Sequence, residues 1–159
     1  MMPKLAPWVA CLSLLAAAGT SWPGETRTSP GKGADARGEV LLPSGRLLQV
    51  EIADTPERRA RGYMFRERIS DREGMLFLMG ELDFHPIWMK NCKVGLDILW
   101  LDEGWRVVHI ERKVPPCLKD PCPSYVPIQA SMYVLELKEG LSEREGMKLG
   151  DWIIYRPAR

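Results

Sequence analysis

A repeated alternation of apolar and polar residues constrains the fold of this chain more than any other feature of its sequence. Leu48, Val50 and Ile52 alternate with Gln49 and Glu51. A period of two is typical of a β-strand that buries one face. Further short segments of strand character lie between turn residues, at 40–42, 75–79, 86–91, 94–102, 105–113, 132–137 and 152–155. The chain is therefore predicted to fold mainly from short strands.

Helical signals are limited to two places. Thr55 followed by Pro56 is typical of a helix start with Thr55 as the N-cap, and Gly62 predicts the end of this short helix. A second helical turn is predicted at 142–147. Many short strands with one or two short helices predict a mostly β protein. We expect a single compact antiparallel domain of sandwich or barrel-like form.

Residues 1–18 resemble a secretory signal peptide. Lys4 supplies a positive charge, an apolar run extends from Leu5 to Leu15, and small residues precede a cleavage site near Ala18. Cleavage would make the mature protein periplasmic or secreted. Retention of the segment as an anchor is the alternative. The run is shorter than the roughly 20 residues that span a bilayer, so no transmembrane segment is expected in the mature chain.

The rest of the chain divides by composition. Residues 19–38 are rich in Gly, Pro, Ser and Thr and lack an apolar period, which predicts a flexible linker. The folded domain is predicted at 39–155, followed by a tail at 156–159. The 22 basic and 21 acidic residues nearly cancel, which argues against a nucleic-acid partner. No nucleotide-binding glycine loop or paired metal-ligand spacing occurs. We therefore expect no cofactor, no metal and a monomer.

Several blocks of the sequence, in this order, resemble the DUF192 (UPF0127) family. The resemblance covers nearly all of the predicted domain and implies a compact β-rich fold, often on exported proteins, with no assigned reaction. Cys92 departs from the family pattern, in which Thr is more frequent. The matching blocks are Ile52–Arg66, Gly74–Phe77, Trp88–Asn91, Leu96–Ile98, Pro115–Tyr125, Tyr133–Glu136 and Gly150–Asp151.

Polar residues within apolar strands are the candidate functional groups. Asp97 and Glu136 each lie in an apolar strand segment, where a carboxylate must be paired, hydrogen-bonded or protonated. A hairpin would bring Lys90 close to Asp97, with Asn91 beside them. A structural polar network is one interpretation. The other is a ligand pocket with Trp88 or Trp100 as an apolar wall. Arg61 and Arg66, from the family-like block, are candidates for binding a carboxylate or sulfate group of the ligand.

The cysteines predict a structural disulfide. Cys117 and Cys122 form a C-x4-C pattern in a proline-rich loop, and an exported chain meets oxidising conditions. We predict a Cys117–Cys122 disulfide, with a bridge to Cys92 as the alternative.

Together these features predict an exported domain without an assigned activity. The favoured function is a non-catalytic module that binds a small molecule or a component of the cell envelope. The alternative is a small periplasmic hydrolase that acts on glycans or peptides through the paired carboxylates of Asp97 and Glu136.

Overall fold

The computed structural model describes residues 36–158, and its elements confirm a mostly β fold with two short helices. The predicted signal peptide and most of the predicted linker lie outside the described residues. The elements, in chain order, are β1 (Arg37–Leu41), β2 (Leu47–Ala53), α1 (Pro56–Arg61), β3 (Glu73–Asp83), β4 (Ile87–Trp88), β5 (Leu96–Leu101), β6 (Val107–Val114), β7 (Ser124–Tyr125), β8 (Ser131–Lys138), α2 (Leu141–Arg144) and β9 (Ile154–Pro157).

Seven of these strands form one sheet in the order β6-β5-β8-β3-β2-β1-β9, and β4 pairs with β7 in a small second sheet. All pairs within the large sheet are antiparallel except β2 and β3. Parallel neighbours require a crossover connection, which α1 and the residues after it provide. This parallel pair is a departure from the antiparallel arrangement that the sequence predicts.

The edges of the large sheet approach each other. The N–H of Val107, at the start of β6, donates to the carbonyl of Asp151 at 2.8 Å, and the N–H of Gly150 donates to the carbonyl of Val107 at 2.8 Å. Residues 150–153 lead directly into β9, which forms the opposite edge. These bonds connect the two edges, so the sheet curls into a barrel-like form.

The first and last strands of the large sheet lie at the predicted limits of the domain. β1 begins at Arg37 and β9 ends at Pro157, so the strands extend two residues beyond each predicted boundary. The first helix forms as predicted: the Thr55 side chain accepts a hydrogen bond from the N–H of Arg58 at 3.2 Å, and Gly62 is its C-cap.

The sheet buries apolar side chains on both faces. Strand β5 is buried along its whole length, and its alternate residues belong to two different clusters. One cluster contains Leu99, Leu101, Leu135 and Leu137. The other contains Phe77, Ile98, Trp100 and Val134. A polar residue in β5 or β8 therefore faces one of two apolar clusters.

Candidate functional site

A pocket of about 210 Å³ lies between the C-terminal end of α1, strands β3 and β8, and the segment around β4. We call it the Glu136 pocket. Four of the residues singled out in the sequence line it: Arg61, Trp88, Lys90 and Glu136. The structure thus brings together groups from three distant parts of the chain.

Glu136 lies at the buried side of this pocket. In β8 it pairs with Met75 of β3 and Ile98 of β5, while its chain neighbours Leu135 and Leu137 belong to the cluster on the other face. The residue is 4% exposed, and its Oε2 has no hydrogen-bond partner within the described chain. Burial raises the pKa of this carboxyl from 4.5 to about 8, so the group is mainly protonated at neutral pH.

The backbone around Gly62 brings α1 close to this carboxyl. Gly62 has a φ of 45°, in the region that favours glycine. A Cβ at this position would lie 3.9 Å from Oε2 of Glu136 and 3.5 Å from Cζ of Phe77. A glycine therefore lets the chain leave α1 directly beside the carboxyl group.

Basic side chains surround the opening of the pocket. Arg59 donates to the carbonyl oxygens of Asp54 and Leu78, each at 2.9 Å, so its partners there are neutral. Within residues 36–158, the Arg61 guanidinium has neither a hydrogen bond nor an ion pair. Lys90 forms an ion pair with Asp120 at 2.9 Å. Even with that pair counted, basic groups exceed acidic groups at the opening.

Trp88 provides an exposed aromatic face beside Lys90. Its side chain is 49% exposed, and the Lys90 Nζ lies 5.4 Å from the ring centroid. An ammonium over an indole face is a cation–π arrangement. A ligand that enters the pocket would thus meet an aromatic surface and a positive charge at one edge.

The predicted Cys117–Cys122 disulfide is present, and Cys92 is a buried free thiol. The disulfide loop packs against the strand-like segment that carries Lys90. The N–H of Asn91 donates to the carbonyl of Cys117 at 2.9 Å, and Asp120 lies within this loop. The loop therefore contacts the segment that brings Lys90 to the pocket, although no loop residue lines the pocket itself.

Loss of this disulfide should destabilise the domain. We expect the double variant Cys117→Ser/Cys122→Ser to lose about 2 kcal/mol of unfolding free energy, because the loop that the bridge closes is short. Chemical denaturation of the variant, compared with oxidised and reduced wild type, measures this loss. Reduced wild type should match the variant. A denaturation midpoint that is unchanged in both the variant and the reduced wild type would show that the disulfide does not stabilise the domain.

Asp97 does not join the pocket, which corrects the predicted grouping with Lys90. It is fully buried and accepts four hydrogen bonds: from the N–H groups of Lys113 (2.8 Å), Gly140 (3.0 Å) and Ser142 (2.8 Å), and from the Ser142 hydroxyl (2.7 Å). It also faces the opposite side of the sheet from Glu136, because Asp97 pairs with Leu137 and Ile98 pairs with Glu136. No substrate bond fits between these two carboxylates.

Asn91 and Arg66 are also placed differently from the predicted pocket. Asn91 has a φ of 57°, and its side-chain amide lies 3.8 Å from the Met64 sulfur without lining the Glu136 pocket. Arg66 pairs with Glu51 through two hydrogen bonds and lines a neighbouring pocket of about 160 Å³ with Arg61. Arg61 therefore lies between the two pockets.

Two pocket residues were missed by the sequence analysis. Tyr63, immediately after Gly62, is buried, and both burial and the nearby Glu136 raise the pKa of its hydroxyl above its usual range. Arg59 was not among the candidate residues either. The predicted helix end at Gly62 was the sequence signal that could have identified both residues, because they lie within three positions of Gly62 and line the same pocket. Within the described residues, no group of three His, Cys, Asp or Glu side chains is arranged to hold a metal ion.

Comparison with known proteins agrees with this architecture. The model of the DUF192 family, described as "Uncharacterized ACR", matches residues 40–155. The chain belongs to the DUF192 family. The family match includes every residue of the Glu136 pocket. No curated protein is significantly similar to the chain.

Two solved structures are similar to this DUF192 member. One is a protein from Sinorhizobium meliloti 1021 that is proposed to be a transcription regulator, with 31% identity and a TM-score of 0.66 over 77% of this chain and 94% of that chain. The other, of unknown function, is from Novosphingobium aromaticivorans DSM 12444, with 30% identity and a TM-score of 0.68 over 85% and 94%. Across residues 36–158, no helix is long and apolar enough to cross a membrane.

Proposed function

We propose that this DUF192 domain is an exported, non-catalytic module that binds a small molecule, or a small group of an envelope component, in the Glu136 pocket. The observation that carries this proposal is the Glu136 carboxyl, which is buried at the pocket with Oε2 unpartnered. Buried polar groups are almost always hydrogen-bonded, and exceptions call for an explanation. A ligand that completes this hydrogen bond supplies one.

The size of the pocket supports a small ligand. Its volume of about 210 Å³ is below the roughly 300 Å³ at which pockets for drug-sized molecules begin. Phe77, Met79 and Ile87 provide apolar walls, and Trp88 adds an aromatic surface at the opening. Mostly apolar walls with a few convergent polar groups are typical of small-molecule sites.

The placement of the acidic groups favours binding over hydrolysis. A two-carboxylate mechanism needs both acids on the same substrate bond. Asp97 faces the other side of the sheet and has four donors of its own. The disulfide supports export, because such bonds persist mainly in oxidising compartments.

A two-dimensional NMR screen of small molecules against the full chain tests this function. Binding should shift the amide signals of Gly62, Tyr63 and Trp88. The variant Lys90→Ala should weaken the binding of molecules that cause these shifts about tenfold, since a hydrogen bond to a charged group contributes roughly 1.5–3 kcal/mol. Lys93→Ala is the matched control, because Lys93 also has one ion pair but does not line the pocket. Shifts confined to other surfaces, or equal losses in both variants, would contradict the proposal.

A further inference from the structure

We propose that the Glu136 pocket selects a small monocarboxylate with an apolar body, whose carboxylate forms a hydrogen bond with the Glu136 carboxyl group while Arg61 and Lys90 balance its charge. This inference rests on the proposed function and names the chemical class of its ligand.

The charges around the pocket call for an anion. Arg59 interacts electrostatically with one acid, Glu57, and Lys90 pairs with another, Asp120, while the Arg61 guanidinium has no acidic partner in the part of the chain described. A protonated Glu136 adds no negative charge. The site therefore carries an excess of positive charge, which an anionic ligand neutralises.

The Glu136 carboxyl group determines which anion fits. Protonated, it offers an O–H donor in a site that gives its Oε2 no protein partner. A ligand carboxylate oxygen accepts such a bond, and an O–H···O⁻ bond is among the strong hydrogen bonds. An ionised Glu136 would instead repel the ligand. Binding is thus coupled to the retention of one proton.

The other titratable groups that face Glu136 do not complicate the coupling between ligand binding and retention of the Glu136 proton. They are Tyr63 after α1 and Cys92 after β4, beside the basic Arg59, Arg61 and Lys90. Burial, together with Glu136, raises the pKa of Cys92 to about 11 and that of Tyr63 above its usual range. Strands β3 and β5 contribute apolar neighbours, Met75 and Ile98. Near pH 8, Glu136 is therefore the group that titrates.

The side chains that line the pocket determine the chemistry of the rest of the ligand. Phe77, Met79 and Ile87 give the pocket apolar walls, and no acidic side chain besides Glu136 lines it that could pair with a cationic group of the ligand. Trp88 covers one side of the opening with a flat apolar face. A ligand with an unbranched aliphatic chain or an aromatic ring and one carboxylate complements each of these surfaces.

Hexanoate, hexanamide and norleucine test the ligand class, because they share a chain length and differ in charge. Binding to the full chain is followed by NMR shifts at Gly62 and Tyr63. Hexanoate should bind at least tenfold more tightly than the other two at pH 7. Its affinity should fall about tenfold per pH unit above pH 8, because hexanoate is already ionised and Glu136 must keep its proton.

Two substitutions of Glu136 separate hydrogen bonding from titration. Glu136→Gln keeps an N–H donor without an ionisable proton, so it should bind hexanoate within about threefold of wild type, with no pH dependence. Glu136→Leu removes the donor and should weaken binding at least tenfold. Preference for norleucine with affinity that rises with pH would overturn the ligand class alone. Absence of pocket shifts with all three compounds would count against the proposed function itself.

Discussion

The variant Glu136→Leu should be more stable than the wild type, and its advantage should grow as the pH rises. A leucine would complete the apolar face that Met75, Ile98 and Val134 form around this position. It also removes a buried carboxyl whose Oε2 has no partner. Even for the protonated acid, an unsatisfied buried group costs about 1–3 kcal/mol. We therefore expect a gain of that size at pH 5.

The larger part of the effect comes from ionisation. The pKa of Glu136 is about 8 in the folded protein and 4.5 in an exposed carboxyl. Between these values the folded state binds more protons than the unfolded state, so stability falls as pH rises from 4.5 to 8. The shift corresponds to about 4 to 5 kcal/mol lost above pH 8 relative to pH below 4.5. Below pH 4.5 the titration of Glu136 no longer changes the stability of the domain, because the carboxyl is protonated in both the folded and the unfolded state.

Thermal unfolding of the wild type and Glu136→Leu at pH 5 and pH 9.5 measures this difference. The gap between their Tm values should widen by roughly 15 °C over that range, at about 4 °C per kcal/mol for a domain of this size. Glu103→Leu is the control, because Glu103 is an exposed turn residue and its removal leaves the slope unchanged. Parallel Tm curves for wild type and Glu136→Leu would show that the ionised carboxyl is solvated.

The unfavourable energy at Glu136 connects the stability of the domain with the proposed binding function. A residue that weakens the fold and has an accessible pocket beside it is typical of functional sites, where stability is exchanged for activity. Ligand binding stabilises the folded state by mass action. The molecule that supplies the missing hydrogen bond should therefore recover part of the stability that Glu136 removes.

The sequence was sufficient to identify strands and both carboxylates, but not their surroundings. The period of two placed Asp97 and Glu136 within apolar strands. Which cluster each faces depends on how β5 pairs with β8, and that pairing joins residues about 40 positions apart. Local pattern contains no information about this register.

The prediction that Asp97 lies beside Lys90 was wrong for a related reason. Lys90 and Asp97 are close in sequence, so a hairpin was the natural prediction. In the structure β4 pairs with β7, and Lys90 contacts Asp120 of the disulfide loop. The parallel pairing of β2 with β3 was missed because α1 is unusually short for a crossover helix. By contrast, the boundaries of α1 were predictable, since Thr55 and Gly62 act locally.

Substitution of Asp97 should cause a large loss of stability. Asp97→Ala removes all four hydrogen bonds and leaves two backbone donors beside α2, those of Gly140 and Ser142, without a partner. Breaking a buried charged network of this kind costs about 3–5 kcal/mol. Asp97→Asn keeps the shape but replaces one accepting oxygen by an N–H₂ group that faces donors. We expect it to lose about 3 kcal/mol, measured by chemical denaturation.

Smaller changes to the same network show whether the loss follows the hydrogen bonds. Ser142→Ala removes the hydroxyl donor alone and should cost about 1 kcal/mol. In combination with Asp97→Asn, its effect should be less than additive, because the two residues share one bond. Glu103→Gln, which changes a carboxylate in an exposed turn, should leave stability within about 0.5 kcal/mol of wild type.

Ligand binding separates a structural role of Asp97 from a functional one. Asp97 lies on the far side of the sheet from the pocket, so folded Asp97→Asn should bind hexanoate within about twofold of wild type. A variant that keeps wild-type stability but loses binding would contradict this assignment. It would mean that Asp97 acts on the ligand through the sheet, because the four donors it holds would then be dispensable to the fold.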